Sequence, residues 1–255
     1  MKDSLHLKDK VALVTGGSRG IGRAIVAQFA SLGVHVIVNY VRDERAAAAV
    51  VDYARQFDVR ALALKADLRS LSETEELVRI ALEEFRQIDI LICNAGIWEG
   101  AAVEEITEEQ WDQVLDINLK GTWTACWAVV PVLKRQGGGK IVIISSTAGQ
   151  RGEARVSNYA AAKGGQISFT KSLATELAEF GINVNCVAPG WVDTEMNTGV
   201  FADVERKAQI VGTIPLGRVA TAADVAWPTI FLCSEWARHM TGEVLNVNGG
   251  SVLCG

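Results

Sequence analysis

The chain has 255 residues, 49% of them hydrophobic, which is enough to bury the core of one large α/β domain. The net charge is −5 and no basic tract is present, so a nucleic acid is not expected as a partner. The most apolar long stretch, near residues 122–133, is too short to span a membrane and contains Pro131, so a membrane is not expected either.

The cysteines, the histidines and the N-terminal segment indicate the compartment. Residues 1–10 are polar and lack the apolar core of a secretory signal. The cysteines form no Cys-x-x-Cys pair and are odd in number, which is typical of reduced thiols in the cytoplasm. They are Cys93, Cys126, Cys186, Cys233 and Cys254. The 3 histidines have no ligand-like spacing, so we expect a cytoplasmic protein without a catalytic metal.

A glycine-rich turn follows the first predicted strand, at residues 11–14, and precedes a predicted helix at residues 23–32. A strand, turn and helix N-terminus of this kind bind the pyrophosphate of a dinucleotide, because glycine admits the phosphates closely and the helix dipole favours their charge. The alternative is a tight turn whose glycines serve packing only. The predicted cofactor-binding residues of the turn are Gly16, Ser18, Arg19, Gly20, Ile21 and Gly22.

The end of the second predicted strand, at residues 34–38, bears on the choice of cofactor. NAD-specific sites carry an acidic residue there, which binds the 2′-hydroxyl of the ribose. This chain has instead Asn39, Tyr40, Val41 and Arg42, of which Tyr40 and Arg42 are predicted cofactor contacts. Arg42 and Arg19 can together hold a 2′-phosphate, so NADP(H) is the expected cofactor and NAD(H) the alternative. Arg42 could also be a solvated residue at the start of a helix.

Two further strand ends are predicted to contact the cofactor. Asp67 and Leu68 follow the third strand, at residues 59–64, where a carboxylate can reach an adenine amino group or can cap the next helix. The fourth strand, at residues 88–93, ends in Asn94-Ala95-Gly96. These small residues either admit a flat ligand or form a simple turn at the strand end.

Two predicted helices carry features of their own. The helix at residues 72–86 should begin with a capping box formed by Ser72 and Glu75. A long helix over residues 107–133 has apolar residues on more than one face, which predicts a subunit interface. Asn118 lies within this helix and is either a satisfied core amide or part of a proton relay.

Tyr159 and Lys163 lie four residues apart in an alanine-rich helix, so their side chains share one face. A nearby ammonium group should lower the tyrosine pKa from about 10, so that the phenol can exchange a proton with a hydroxyl group. Ser146 follows the strand at residues 141–144 and can hydrogen-bond a substrate oxygen beside the tyrosine. The alternative is a surface tyrosine in helical contact with a lysine.

The last part of the chain continues the alternation of strands and helices. A strand at residues 182–187 is followed by an irregular stretch at residues 191–214, typical of a lid, and by a last strand at residues 244–247. The pattern predicts one Rossmann-type α/β domain over residues 1–255, a doubly wound, mostly parallel seven-stranded sheet with helices on both faces. Its cofactor-binding half spans about residues 8–150, and its catalytic and substrate-binding half about residues 140–255.

These motifs have the order and spacing of the short-chain dehydrogenase/reductase family, which the chain resembles from about residue 8 to its C-terminus. The motifs are Thr15-Gly16-x-x-x-Gly20-Ile21-Gly22, Asn94-Ala95-Gly96, Asn118, Ser146, Tyr159-x-x-x-Lys163 and Pro189-Gly190. The resemblance implies that Tyr159 donates a proton in reduction and accepts one in oxidation, while Ser146 polarises the substrate carbonyl. It implies further that Lys163 binds the nicotinamide ribose and lowers the Tyr159 pKa.

The resemblance also implies roles for residues outside this centre. Asn118 is expected to hold a water that links Lys163 to solvent. Additional cofactor contacts are expected from Tyr159, Lys163, Pro189, Gly190, Val192 and Thr194. Cys93 departs from the family pattern, which has an asparagine at this position.

Within the family, the stretches at residues 158–163, 183–190 and 241–250 are most similar to 3-oxoacyl-acyl-carrier-protein reductases. This implies NADP(H)-dependent reduction of a carbonyl compound to a secondary alcohol, with a 3-oxoacyl thioester as the expected substrate. The alternatives are a glucose, polyol or other alcohol dehydrogenase of the family and, more remotely, a non-catalytic dinucleotide-sensing protein. A homotetramer is expected, with a second subunit contact through the last strand and residues 249–255.

Two observations bear on the substrate. Trp98 and Trp191 flank the motifs nearest to the nicotinamide, so they are predicted to line the substrate pocket with Ser146, although ordinary packing under the lid is the alternative. Carrier-protein reductases of the family dock their acidic partner through basic residues at positions that correspond here to residues 137–139 and 179–181. These are Gly-Gly-Gly and Glu-Phe-Gly in this chain, so dependence on a carrier protein is not expected.

Overall fold

The computed structural model describes residues 5–253, so Cys254 and the end of the predicted C-terminal contact lie outside the described part of the chain. The strands are β1 (Val11–Val14), β2 (His35–Tyr40), β3 (Ala61–Lys65), β4 (Ile90–Cys93), β5 (Gly139–Ile144), β6 (Ile182–Pro189), β7 (Val192–Asp193), β8 (Ala220–Thr221) and β9 (Val244–Val247). A 7-stranded sheet has the order β3-β2-β1-β4-β5-β6-β9, and β7 pairs with β8 beside it. Every pair is parallel.

Helices connect most of the strands. They are α1 (Gly20–Ser31), α2 (Glu44–Arg55), α3 (Leu71–Phe85), α4 (Glu108–Leu115), α5 (Gly121–Gln136), α6 (Thr147–Arg151), α7 (Ser157–Leu177), α8 (Thr198–Phe201), α9 (Val204–Gly212) and α10 (Ala222–Cys233). Short 3-10 turns lie at Val103–Glu105, Ala178–Phe180, Glu195–Asn197 and Glu235–Ala237.

Alternate residues of β1 point to opposite faces of the sheet, and helices cover both faces. Ala12 and Val14 belong to a buried cluster that includes residues of α1, α2 and α10. Val11 and Leu13 belong to a second cluster, with residues of α3, α5 and α7. Burial on both faces explains why β1 is apolar throughout. The predicted fold class, a doubly wound parallel sheet with helices on both faces, is confirmed.

Two details of the predicted helices differ from the structure. The predicted capping box of Ser72 and Glu75 is wrong, because Ser70 caps α3 and its side chain accepts a hydrogen bond from the backbone nitrogen of Glu73. The predicted long helix does begin after Thr107, which caps α4. It is interrupted by one π-helical segment, Asp116–Lys120, before α5 continues in the same direction.

The strand order places a crevice at the carboxyl ends of β1 and β4. The chain winds outward from β1 through β2 to β3 on one side, and from β4 through β5 to β6 on the other. Ligands of open α/β sheets bind where the winding direction reverses. The glycine-rich turn follows β1 and Asn94 follows β4, so both predicted cofactor segments lie at this point.

Candidate active site

Thr15 and Asn94 join the two strand ends that flank the crevice. The Thr15 hydroxyl accepts hydrogen bonds from the backbone nitrogens of Asn94 and Ala95, at 2.8 and 3.0 Å. The Asn94 amide donates to the carbonyl oxygens of Thr15 and Gly16, at 3.0 and 3.1 Å. A Cβ at Gly22 would lie 2.4 Å from the Gly16 carbonyl oxygen, so this tight turn requires glycine.

A cavity of about 330 Å³ extends from this turn to the tyrosine helix. It is lined by nearly all the residues predicted to bind the cofactor or to act in catalysis. These are Gly16, Ser18, Arg19, Gly20, Ile21, Tyr40, Arg42, Asp67, Leu68, Asn94, Ala95, Gly96, Asn118, Ser146, Tyr159, Lys163, Pro189, Gly190, Val192 and Thr194. Gly22, Trp98 and Trp191 are the predicted site residues outside this lining.

Arg69 is a cavity residue that the sequence analysis did not identify. Its guanidinium group binds the carboxylate of Asp67, with Nη2 2.6 Å from Oδ2 and Nε 3.1 Å from Oδ1. This hydrogen bonding lowers the pKa of Asp67, and the charge of Arg42 contributes in the same direction. The carboxylate predicted to reach an adenine amino group is therefore already paired with an arginine. The signal that could have indicated Arg69 is its position two residues after Asp67, on the loop that follows β3.

Asn118 lies in the π-helical segment and is fully buried. Its Oδ1 accepts a hydrogen bond from the backbone nitrogen of Ile97, and its Nδ2 donates to the carbonyl oxygens of Ile97 and Val114, all at 3.0 Å. The side-chain amide is thus satisfied by backbone groups, in agreement with the interpretation of Asn118 as a satisfied core amide. Its part in a proton relay stays a prediction.

Ser146 and Tyr159 line the same cavity as the glycine-rich turn. Ser146 caps the short helix α6, and its hydroxyl oxygen accepts a hydrogen bond from the backbone nitrogen of Ala148 at 3.1 Å. Burial raises the pKa of Tyr159 to about 12, a hydrogen bond with Ser146 acts in the opposite direction, and the charge of Glu153 raises it further. The phenol therefore holds its proton at neutral pH.

The expected lowering of the Tyr159 pKa by Lys163 is not what the structure shows. Lys163 is buried, and its Nζ donates a hydrogen bond to the Ile144 carbonyl oxygen at 2.8 Å. The same atom lies 5.6 Å from the centre of the Tyr159 ring. Burial lowers the pKa of Lys163 to about 8. Loss of solvent, which disfavours both the phenolate and the ammonium, outweighs the attraction between them.

Trp98 and Trp191 contact each other beside the cavity. Their ring centres are 6.2 Å apart at an interplanar angle of 70°, and Trp191 makes a second edge contact with Phe201 at 6.0 Å. The three rings pack against the buried residues Val200, Ile210 and Ile214 of the lid. The contact agrees with ordinary packing of the two tryptophans, and their place in the substrate pocket stays a prediction. Phe201 was not identified from the sequence.

The described cysteines lie outside the cavity lining. Cys93, Cys126, Cys186 and Cys233 are free and buried, and the Sγ atoms of Cys93 and Cys126 are 3.8 Å apart. Within residues 5–253, no group of three or more His, Cys, Asp and Glu side chains could hold a metal ion. Over the same residues, no helix has the length and apolarity needed to cross a membrane.

Comparison with known proteins places this geometry in a family. The profile of a family described as enoyl-(acyl carrier protein) reductase matches residues 16–251. The 3-oxoacyl-[acyl-carrier-protein] reductase FabG of Staphylococcus epidermidis is 39% identical over 245 residues, covering 96% of this chain and 100% of that protein. The 3-oxoacyl-[acyl-carrier-protein] reductase of Synechocystis is 39% identical over 248 residues, covering 97% of this chain and 98% of that protein.

A solved structure agrees with these relatives. A putative short-chain alcohol dehydrogenase from Sinorhizobium meliloti superposes with a TM-score of 0.92 at 33% identity, over 96% of each chain. High coverage in both directions means that the likeness extends over the whole fold and over both halves of the crevice. The chain therefore belongs to the short-chain dehydrogenase/reductase family and is an NAD(P)-dependent oxidoreductase.

Proposed function

We propose that the protein uses NADP(H) to reduce a carbonyl compound to a secondary alcohol, with a 3-oxoacyl thioester as the substrate. The observation that carries this proposal is the continuity of one cavity, which has the glycine-rich turn at one end and Ser146, Tyr159 and Lys163 at the other. A dinucleotide in this cavity would bring its reactive ring to the tyrosine. The names of the similar proteins support the thioester as the substrate class.

The lining of the cavity fits a nicotinamide dinucleotide. Position 16 requires glycine, because a Cβ there would approach the Ala95 Cα to 2.9 Å. A backbone without side chains also lets a pyrophosphate approach closely. Arg69 lines the cavity but is paired with Asp67. The cavity is also lined by Arg19 and Arg42, and no acidic residue follows β2 before Asp43. These cations favour a 2′-phosphate and hence NADP(H) over NAD(H).

The proton chemistry follows from the burial of the catalytic groups. The cofactor, when bound, supplies the hydride. Ser146 donates a hydrogen bond to the substrate carbonyl oxygen and thereby polarises it. Tyr159 transfers its proton to the same oxygen, because its raised pKa keeps the phenol protonated before the reaction. Lys163, largely protonated at neutral pH, stabilises the phenolate that remains.

The proposed substrate needs no carrier protein. Lys134, Arg135 and Lys140 are the basic residues nearest to the expected docking stretches. The Nζ of Lys134 lies 3.9 Å above the ring of Phe180, and that of Lys140 donates to the Asn183 side chain at 2.7 Å. Neither contact neutralises a positive charge, so the proposal rests on the lack of basic residues at positions 137–139 and 179–181.

We also propose a homotetramer. Trp111, Trp123 and Trp127 on α4 and α5 are 41%, 40% and 42% exposed in the single chain. Large aromatic side chains that share a helical surface are typical of subunit interfaces. Pairing of this surface across a two-fold axis would bury all three rings in each subunit.

A second candidate function is that of a sugar, polyol or cyclic alcohol dehydrogenase. The aromatic contact of Trp98, Trp191 and Phe201 favours it, because these rings, if they line the substrate pocket as predicted, would leave less room for a long acyl chain. The name of the similar Sinorhizobium meliloti structure points to the same reaction class.

The deciding experiment compares acetoacetyl-coenzyme A, acetoacetyl carrier protein, glucose and cyclohexanone, each with NADPH and NADH. We expect turnover of both thioesters with NADPH at similar kcat/KM and little salt dependence. Activity on glucose or cyclohexanone alone would establish the second candidate. A much higher kcat/KM for the carrier form that falls with added salt would show that a basic docking surface exists after all. Tyr159→Phe serves as the inactive control.

A further inference from the structure

Glu195, on the lid, extends its carboxylate into the glycine-rich turn. Its Oε2 accepts a hydrogen bond from the backbone nitrogen of Gly20, the first residue of α1, at 3.1 Å. Its Oε1 lies 3.1 Å from Nη2 of Arg23, one turn further along α1. Glu195 also lines the cavity described above. The contact connects residues 175 positions apart, so no local pattern predicted it.

The N-terminus of α1 favours the binding of an anion. Its first turn contains no acidic residue, and its cap residue, Arg19, makes no side-chain capping hydrogen bond. The backbone nitrogens there carry the positive end of the helix dipole and have no acceptor within the helix. The Glu195 carboxylate therefore accepts a hydrogen bond that a bound phosphate would otherwise accept.

The same contact holds the lid close to the turn. A Cβ at Gly20 would lie 3.5 Å from Cβ and Cγ2 of Thr194, so the Thr194 side chain lies close to the start of α1. Four residues earlier, Trp191 contacts Trp98. The start of the lid is thus held by two contacts, the Glu195 carboxylate at α1 and the aromatic pair.

We propose that Glu195 sets the affinity for the cofactor by occupying the place of its pyrophosphate in the free protein. The inference rests on the proposed function, in which the pyrophosphate binds at the N-terminus of α1. The carboxylate and the pyrophosphate are both anions and compete for the Gly20 N–H, so Glu195 must leave before the pyrophosphate binds. Its departure also releases the lid from α1. Glu195 therefore weakens nucleotide binding and couples it to movement of the lid.

The test measures nucleotide affinity by calorimetry in Glu195→Gln and Glu195→Ala. The probes are adenosine 5′-diphosphate, which carries a pyrophosphate, adenosine 2′-monophosphate, which does not, and NADPH. We expect both variants to bind the diphosphate and NADPH about fivefold more tightly than the wild type, from loss of an exposed ion pair and its repulsion of the ligand. Binding of the 2′-monophosphate should not change.

Glu205→Gln is the matched control. Glu205 is an exposed acidic residue of the lid helix α9 and is not part of the cavity lining. The substitution changes the net charge of the protein by the same amount, so an effect of overall charge would appear in it as well. We expect its affinities for all three probes to equal those of the wild type.

Amide hydrogen exchange gives a readout that does not depend on activity. In the nucleotide-free protein, the Gly20 amide should exchange about fivefold faster in Glu195→Ala than in the wild type, and adenosine 5′-diphosphate should protect it in both. Unchanged or weaker diphosphate binding in both folded Glu195 variants would overturn the inference while leaving the cofactor site intact. Failure of the wild type to bind any of the three probes would overturn the proposed function as well.

Discussion

The ammonium group of Lys163 lies 5.6 Å from the centre of the Tyr159 ring and donates its hydrogen bond to the carbonyl oxygen of Ile144. Lys163 is buried and Tyr159 is partly buried, and burial holds each side chain closer to its neutral form than in water. The shifted pKa values of Lys163 and Tyr159 can therefore be tested by measurements at different pH.

The stability of the protein relative to that of Lys163→Met should rise between pH 8 and pH 10. The pKa of Lys163 is about 8 in the folded protein and near 10.5 when unfolded, so this residue binds more protons in the unfolded chain over this range. The comparison with Lys163→Met cancels the opposite contribution of the buried Cys186, whose pKa is raised to about 11. The gain should be about 2 kcal/mol relative to Lys163→Met. Urea denaturation of both proteins at the two pH values measures it, and parallel pH dependence of the two would contradict the assigned pKa.

Tyr159→Phe should retain cofactor affinity and lose turnover. The phenol is the group that transfers the proton, so its removal should lower kcat by about 100-fold or more. Fluorescence titration with NADPH and steady-state kinetics separate the two effects. A variant with normal kcat would refute the proton-transfer role. Lys163→Ala, in contrast, should reduce both affinity and turnover.

Arg42→Asp should shift the cofactor preference toward NADH. The substitution removes a cation near the proposed 2′-phosphate and places there the acid that NAD-specific sites use. The ratio of the Kd values for NADPH and NADH should rise about tenfold or more. Arg45→Asp, in α2 but outside the cavity lining, is the control and should leave the ratio unchanged. Tighter binding of NADH than of NADPH by the wild type would contradict the cofactor assignment.

Gly22→Ala should abolish nucleotide binding and destabilise the fold. The added methyl group would lie 2.4 Å from the Gly16 carbonyl oxygen and 2.6 Å from the Asn94 side-chain nitrogen, so the turn must open. The free energy of unfolding should fall by roughly 1–3 kcal/mol. Gly212→Ala on α9 is the control, because its Cβ meets nothing within 4 Å. Equal stability of the two variants would show that the turn tolerates a side chain.

Trp127→Glu should dissociate the proposed tetramer. A charge within an apolar interface is costly to bury, so the two-fold contact through α5 should be lost. Sedimentation velocity at micromolar concentration measures the change in mass. Trp236→Glu is the control, since this 61% exposed side chain lies outside α4 and α5. A monomeric wild type at this concentration would contradict the tetramer itself.

Local sequence determined the elements of the fold and the residue types of the site. Continuous apolar runs such as β1 predict strands buried on both faces, and the alternation of strands and helices predicts one parallel sheet. The glycine-rich turn could be identified because close backbone approach leaves room for glycine alone. The four-residue spacing of Tyr159 and Lys163 places them on one helical face whatever surrounds that helix.

The contacts and the burial that distant segments give these residues depend on the tertiary structure. The Tyr159 pKa rises because the whole fold removes the phenol from solvent, and no four-residue spacing encodes burial. Arg69 and Glu195 line the same cavity only because folding brings the loop after β3 and the start of the lid to it. The contact of Trp98 with Trp191 likewise depends on two loops that follow different strands. Periodicity reports the immediate neighbours of a residue along the chain, whereas charge, solvent exposure and ligand access depend on neighbours brought together by folding.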